Sequence, residues 1–352
     1  MIGNMVNGSI GKPNPIIASS VITGNNASPY VYAYPFTSAG GYGTTFANPA
    51  TLPSSTVWAL SIAGNGTAVA VATQLTPFIN AYAYSSTGWG TKFSNPATLP
   101  TTYSSSRAIK LNYGATAVIM GGPSGFTNLI GYPFSTSTGF GTKYTNASPT
   151  GAVAGIAFGP NSDVVMAAEG NSPYLEAWPF SVASGFGTKF SNPASLPASS
   201  QSDVAIHPST TAVVTSSNGT PYINGYPFNI STGFGTKYSN PATLPPGLSE
   251  GAAFTPTGDY VVIASAVSTY QAAYPFNAST GFGTKISNPA TAVGSAARTV
   301  SFDSAGTAVA FSIDNTPFIN TFAWSAGAYG TKYANPATLM TSQSSGNPLS
   351  FI

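Results

Sequence analysis

Aromatic residues two positions apart recur along the whole chain, at Tyr34/Phe36, Tyr82/Tyr84, Tyr132/Phe134, Trp178/Phe180, Tyr226/Phe228, Tyr274/Phe276 and Phe322/Trp324. That spacing places both rings of a pair on one face of an extended strand. Positions on the opposite face are small, as at Ala81, Gly131, Ala177, Gly225 and Ala273. Bulk on one side and small residues on the other suit sheets stacked face to face. The residue between the rings is proline in five pairs and alanine in two, Ala83 and Ala323. Proline has no N–H to give to a ladder, so it predicts a strand end or an unpaired edge at that point. Other short runs, such as Thr307-Ala308-Val309-Ala310-Phe311, are rich in small and β-branched residues and bounded by Gly, Asn or Pro, and they read as further strands. No 3.6-residue periodicity is sustained, so helix is expected to be scarce.

These pieces belong to a repeat. The stretch Gly233-Phe234-Gly235-Thr236-Lys237-Tyr238-Ser239-Asn240-Pro241 is one of seven near-copies, marked by Gly43, Gly90, Gly141, Gly187, Gly235, Gly283 and Gly330 at intervals of 47, 51, 46, 48, 48 and 47 residues. Four strands of about six residues with four connections of similar length account for such a period. A four-stranded unit of this kind cannot bury both faces alone, and a linear stack of them needs polar caps at its ends. No unit looks like a cap. One unit is split instead: Ser19-Ser20-Val21-Ile22-Thr23 matches the second piece Thr211-Ala212-Val213-Val214-Thr215, while the C-terminal residues 347–352 resemble a first piece. Joined, the two ends complete a seventh unit. The expectation is an all-β, seven-bladed β-propeller with four antiparallel strands per blade, closed by pairing of the C-terminal strand with N-terminal strands. Residues 1–15 match no repeat and read as a tail or anchor, leaving 16–352 for the propeller.

Charged residues make up only 5% of the chain, against about 25% in ordinary soluble proteins. With a net charge of +2, the chain has no electrostatic footprint for nucleic acid or an anionic membrane. There is no cysteine, and no apolar run reaches the length of a membrane-spanning helix. Residues 1–24 lack a basic segment followed by an apolar core, so no secretory signal is expected.

Candidate chemistry is sparse. The single histidine, His207, precedes Pro208 in a turn between a first and a second strand and reads as a turn residue. The eight carboxylates are Asp163, Glu169, Glu176, Asp203, Glu250, Asp259, Asp303 and Asp314. Their spacing suggests neither the close pair a glycosidase needs nor a calcium loop. One histidine and no cysteine argue against a transition-metal site. No catalytic, cofactor-binding or metal site is expected. Six lysines share one repeat position: Lys92, Lys143, Lys189, Lys237, Lys285 and Lys332. On outermost strands they would form a ring of positive charge, either a contact ring for a partner or a guard against edge-to-edge pairing. The Asn-Pro-Ala-Thr-Leu-Pro segments read as turn chemistry leading to the next inner strand. The stretches after them vary most (101–106, 198–202, 246–250 and 340–346) and are where binding would reside. Arg107, Lys110 and Arg298 lie on or beside inner strands and are expected to face a central channel.

The segment Phe254-Thr255-Pro256-Thr257-Gly258-Asp259-Tyr260-Val261-Val262 resembles the strand–turn–strand of YVTN-type and WD40-like propellers, without the Trp-Asp dipeptide of WD40 repeats. The low-charge Gly-Phe-Gly-Thr-Lys-Tyr-Ser-Asn-Pro repeats are similar to WD40-like propellers of tailed bacteriophages, and the opening Gly8-Ser9-Ile10-Gly11-Lys12 also resembles the start of some phage virion proteins. That resemblance implies a non-enzymatic virion structural protein, a capsid decoration, fibre or tail-associated disc. It would be joined to other virion proteins by its N-terminal tail and available for host attachment through a surface glycan. A glycan-binding or adhesion propeller of a cell is the alternative.

Overall fold

The computed structural model describes residues 19–100, 108–122, 128–342 and 349–352. The proposed tail, 1–15, and Arg107 lie outside them. The described residues form seven four-stranded antiparallel sheets and no helix. Six of the sheets run in chain order from an inner strand to an outer one, and the seventh takes its inner strand from the C-terminal end. The inner strands are Val57–Ile62, Ala108–Leu111, Val153–Phe158, Gln201–Ile206, Ser249–Phe254, Ala297–Phe302 and Leu349–Phe351. Each touches the next around the circle, and the last, Leu349–Phe351, touches both Ala297–Phe302 and Val57–Ile62. The chain is a seven-bladed β-propeller.

The ring closes as the split repeat predicts. Blade one is built from both ends of the chain: Leu349–Phe351 pairs antiparallel with Ser20–Gly24, in the register Val21↔Phe351 and Thr23↔Leu349, and Val31–Thr37 and Gly41–Tyr42 complete the sheet. Blades two to seven then follow in order.

The aromatic pairs hold the blades together. Tyr34, Tyr82, Tyr132, Tyr226 and Tyr274 are fully buried. Each core cluster spans two neighbouring blades: Tyr132 and Phe134 of blade three meet Ala68, Ala70, Ala72 and Ala81 of blade two, and Tyr226 and Phe228 of blade five meet Met166, Ala168 and Ala177 of blade four. The small positions are small for a geometric reason. A Cβ at Gly225 would lie 2.9 Å from the Phe282 ring of the next blade. Each buried ring removes about 150–250 Å² from water, roughly 4–6 kcal/mol of gross transfer free energy before entropy is counted.

Two sequence features find their physical reason here. Prolines 35, 133, 179, 227 and 275 lie inside third strands, and in those five blades the outer strand has only two residues, as at Gly233–Phe234. Where Ala83 and Ala323 restore the N–H, the outer strands Gly88–Lys92 and Ala328–Lys332 run to five residues. The Asn-Pro-Ala-Thr/Ser-Leu segments do more than turn the chain. The hydroxyls of Tyr132, Tyr226 and Tyr274 donate to the carbonyls of Thr98, Ser195 and Thr243 within them, at 2.8–2.9 Å. The otherwise unpaired polar end of a core tyrosine therefore ties down the connection arriving from the preceding blade.

Candidate functional site

The inner strands surround a channel of about 1130 Å³. In five blades the inner strand carries a register shift near its start, between Val57 and Ala59, Val153 and Gly155, Gln201 and Asp203, Ser249 and Gly251, and Ala297 and Thr299. A bulge of this kind re-aims the extra residue. The extra residues here, Trp58, Ala154, Ser202, Glu250 and Arg298, all line the channel. The last three follow one another at intervals of 48 residues, on consecutive blades.

Four charged residues stand in the lining of this channel, Lys110 on blade three, Asp203 on blade five, Glu250 on blade six and Arg298 on blade seven. The Arg298 guanidinium grips Asp314 with two nitrogens, Nε to Oδ1 at 2.9 Å and Nη2 to Oδ2 at 2.6 Å, and reaches across to blade six with Nη1 3.0 Å from Glu250 Oε1. These carboxylates, Asp314 foremost, hold it firmly charged. Asp203 is accepted into the wall by backbone: Oδ1 takes the N–H of Val204 at 2.9 Å and Oδ2 that of Ala252, on the next blade, at 3.2 Å. Burial pushes its carboxyl above the usual range, and Lys110 and the two N–H groups pull it part of the way back. Glu250 is engaged by Arg298, which leaves Asp203 as the wall carboxylate held by backbone N–H groups alone.

Room for Asp203 is made by a glycine. A Cβ on Gly155, one blade back, would lie 2.6 Å from the Asp203 Cα and 2.7 Å from its Oδ1. Gly155→Ala is therefore expected to lower stability by about 1–3 kcal/mol through overpacking. It should also displace Asp203, which thermal melting and a crystal structure of the variant would show.

Of the residues singled out from sequence, Lys110 and Arg298 do face the channel. His207 does not. Its ring lies in a turn against Phe254, at 5.3 Å between centroids, its Nδ1 is 2.7 Å from Ser209 Oγ, and a Cβ on Gly258 would collide with its Nε2. It is a packing and turn residue. The six lysines sit at the circumference. Lys92 and Lys332 lie on outer strands, whereas Lys143, Lys189, Lys237 and Lys285 fall just beyond outer strands that proline has cut short. Three of them, Lys92, Lys189 and Lys285, bond the asparagine three residues on, at 2.7–3.2 Å.

Glu250 ends the variable stretch 246–250, where binding is expected, whereas Asp203 lies just past 198–202, and pairing of carboxylates with one another does not single it out. The usable signal was repeat phase. Residues one period apart on inner strands come within hydrogen-bond distance, as Glu250 and Arg298 do. Among the described residues no three His, Cys, Asp or Glu side chains are grouped to hold a metal ion.

No family model matches the sequence, and no curated protein is similar to it in sequence. Solved structures are similar in fold. One, from Bacteroides fragilis and described as a candidate 6-phosphogluconolactonase, superposes with a TM-score of 0.70 at 11% identity over 97% of this chain and 99% of that one. The periplasmic gluconolactonase of Pseudomonas aeruginosa gives 0.66 at 10% identity over 95% and 99%. A Lactobacillus plantarum protein gives 0.70 at 11% over 95% and 99%. At such identities the likeness shows the fold alone. It still corrects two expectations. The virion role and the expected lack of enzymatic activity are set aside, because two of the three propellers superposing over nearly their whole length bear the names of lactonases and none bears the name of a virion protein. The finer placement among WD40-like or YVTN-type repeats has no matching family model behind it.

Proposed function

We propose that the protein hydrolyses a lactone of a sugar acid in its central channel. The observation that carries this reading is that Lys110, Asp203, Glu250 and Arg298 all line one channel, in a chain with only ten basic and eight acidic side chains. The names borne by the Bacteroides and Pseudomonas propellers support the same chemistry. Asp203 suits the role of general base: burial raises its proton affinity toward the working range of a base, and its orientation is fixed by two backbone N–H groups. In this reading it takes a proton from water as the water oxygen attacks the lactone carbonyl. The charge that develops on the carbonyl oxygen is stabilised by the Lys110 ammonium. Collapse expels the ring oxygen, which recovers the proton from Asp203 and leaves an open hydroxy acid. Arg298, locked between Asp314 and Glu250, offers a rigid edge for substrate hydroxyls.

The test is direct. Purified protein is given glucono-δ-lactone or its 6-phosphate, and acid release is followed with a pH indicator. Ring opening faster than the uncatalysed rate, inhibited by gluconate or 6-phosphogluconate, is the expected result. No acceleration with either lactone, together with no calorimetric binding of either acid, sinks the reading.

A further inference from the structure

Blade four buries two glutamates, Glu169 and Glu176, and the channel chemistry makes no use of them. Glu169 ends the second strand, Val164–Glu169, and Glu176 lies near the start of the third, Leu175–Ser181. Both side chains are wholly buried. Blades two, five and seven carry Asn80, Asn224 and Asn320 at the position of Glu176, so two acids here replace a neutral interior.

Glu176 is fully subscribed. Its Oε2 accepts the N–H of Thr150 and its Oε1 the hydroxyl of Thr150, both at 2.9 Å, and Oε1 also pairs with the Lys189 ammonium. Glu169 is not. Its Oε2 accepts the N–H of Gly151 at 2.8 Å, but no N–H or hydroxyl group reaches its buried Oε1. The two carboxyl groups hold adjacent residues of one connection, Glu176 the N–H of Thr150 and Glu169 that of Gly151, and they interact with each other. Two carboxylates in contact, out of water and with a single lysine between them, repel. A proton on Glu169, donated to Glu176, removes the repulsion and gives the orphan oxygen a partner. With it the cluster is neutral: one acid, one carboxylate, one ammonium.

We propose that Glu169 and Glu176 share one proton, and that this proton latches the connection from blade three into the channel-lining strand of blade four. The connection is residues 150–152. Thr150 and Gly151 are held by the two carboxyls, and the Ala152 carbonyl accepts the N–H of Gly170 at 2.9 Å. The strand they lead into, Val153–Phe158, carries Ala154 and Gly155, the channel residue and the glycine that seats Asp203. The titratable groups facing Glu169 are Glu176 from the third strand and Lys189 from the circumference. The connection supplies only N–H groups and one hydroxyl. Burial foremost, and then Glu176, push the Glu169 carboxyl up to about 9; burial also acts to raise the Glu176 carboxyl, but Glu169, Lys189 and the Thr150 donors together hold it below its usual range.

The sign of the pH effect follows. An unfolded chain ionises Glu169 in the ordinary carboxylate range, about 4.3, whereas the folded chain keeps the proton to about 9. The stability contributed by this proton is therefore complete only below about pH 4.3, falls steadily as pH rises from there toward 9, and is gone above it. Glu169→Gln keeps a donor to Glu176 and cannot ionise. Melting temperatures of the full chain and of E169Q, measured from pH 5 to pH 10, should diverge by several degrees in favour of the variant, with the gap growing to about pH 9 and then levelling. The infrared spectrum at pH 7.5 should show the carbonyl stretch of a protonated carboxylic acid, absent from E169Q. A melting difference that does not change with pH, or no such band in the wild type, overturns the proposal. If E169Q fails to fold, the infrared band alone decides, through its loss on titrating the wild type past pH 9.

Discussion

Phe351→Ala should cost about 3–5 kcal/mol, the usual penalty for emptying a large aromatic site, and should also lower the cooperativity of unfolding. The ring of Phe351 is buried and meets Phe36 edge to face at 5.0 Å. It sits on a three-residue strand that is the sole inner strand of blade one and bridges blades seven and two. The control is built into the repeat. Phe302 occupies the same position in blade seven, pairing with Val309 as Phe351 pairs with Val21, and it packs against Trp324 at 5.3 Å. Its strand has six residues and is continuous in sequence with the rest of its blade. Phe302→Ala should therefore lose a similar amount of packing while leaving the urea dependence of unfolding intact. Phe351→Ala should reduce that slope, because an opened ring exposes less surface in the remaining transition. Equal slopes and equal costs would show that the seam is no weaker than any other blade.

The second large effect concerns activity. Asp203→Asn should reduce kcat/KM for a lactone substrate by about 10²–10⁴, the range for loss of a general base, with thermal stability changed by only about 1 kcal/mol for the one backbone acceptor lost. Asparagine has nearly the same shape and keeps one carbonyl oxygen for Val204 or Ala252, so a fall in activity without a fall in melting temperature isolates the proton transfer. Raising the pH should not rescue the variant. If D203N retains wild-type kcat/KM, the base lies elsewhere on the channel wall, and Glu250 is the carboxylate to replace next.

The fold was legible because a repeat states the same information seven times. The aromatic pairs announced one bulky face per blade, the small residues opposite announced stacking, and the split unit at the two ends announced closure. The outer strands of five blades depart from the expected length of about six residues, and the proline between the rings is the physical reason. The site was harder to read. A repeat hides function in its departures from itself, and those departures are single residues: Glu250 and Arg298 where other blades carry Trp58, Ala154 or Ser202. Distance along the sequence also misleads in a propeller. Same-phase residues on outer turns are far apart, yet on inner strands they touch, so Arg298 reaches Glu250 across 48 residues. The role of the Asn-Pro-Ala-Thr segments as acceptors for buried tyrosine hydroxyls was likewise invisible, because a backbone carbonyl has no letter of its own.

The uneven outer strands give the disc a polarity that its near-symmetry conceals. The five-residue edges belong to blades two and seven, the two neighbours of the seam blade, while every other rim stops after two residues. A foreign strand seeking peptide groups to pair with would find a usable template only on that sector. There Lys92 and Lys332 stand on the template itself. Self-association through sheet extension is thus confined to one flank of the particle, and the same flank carries the charges that oppose it.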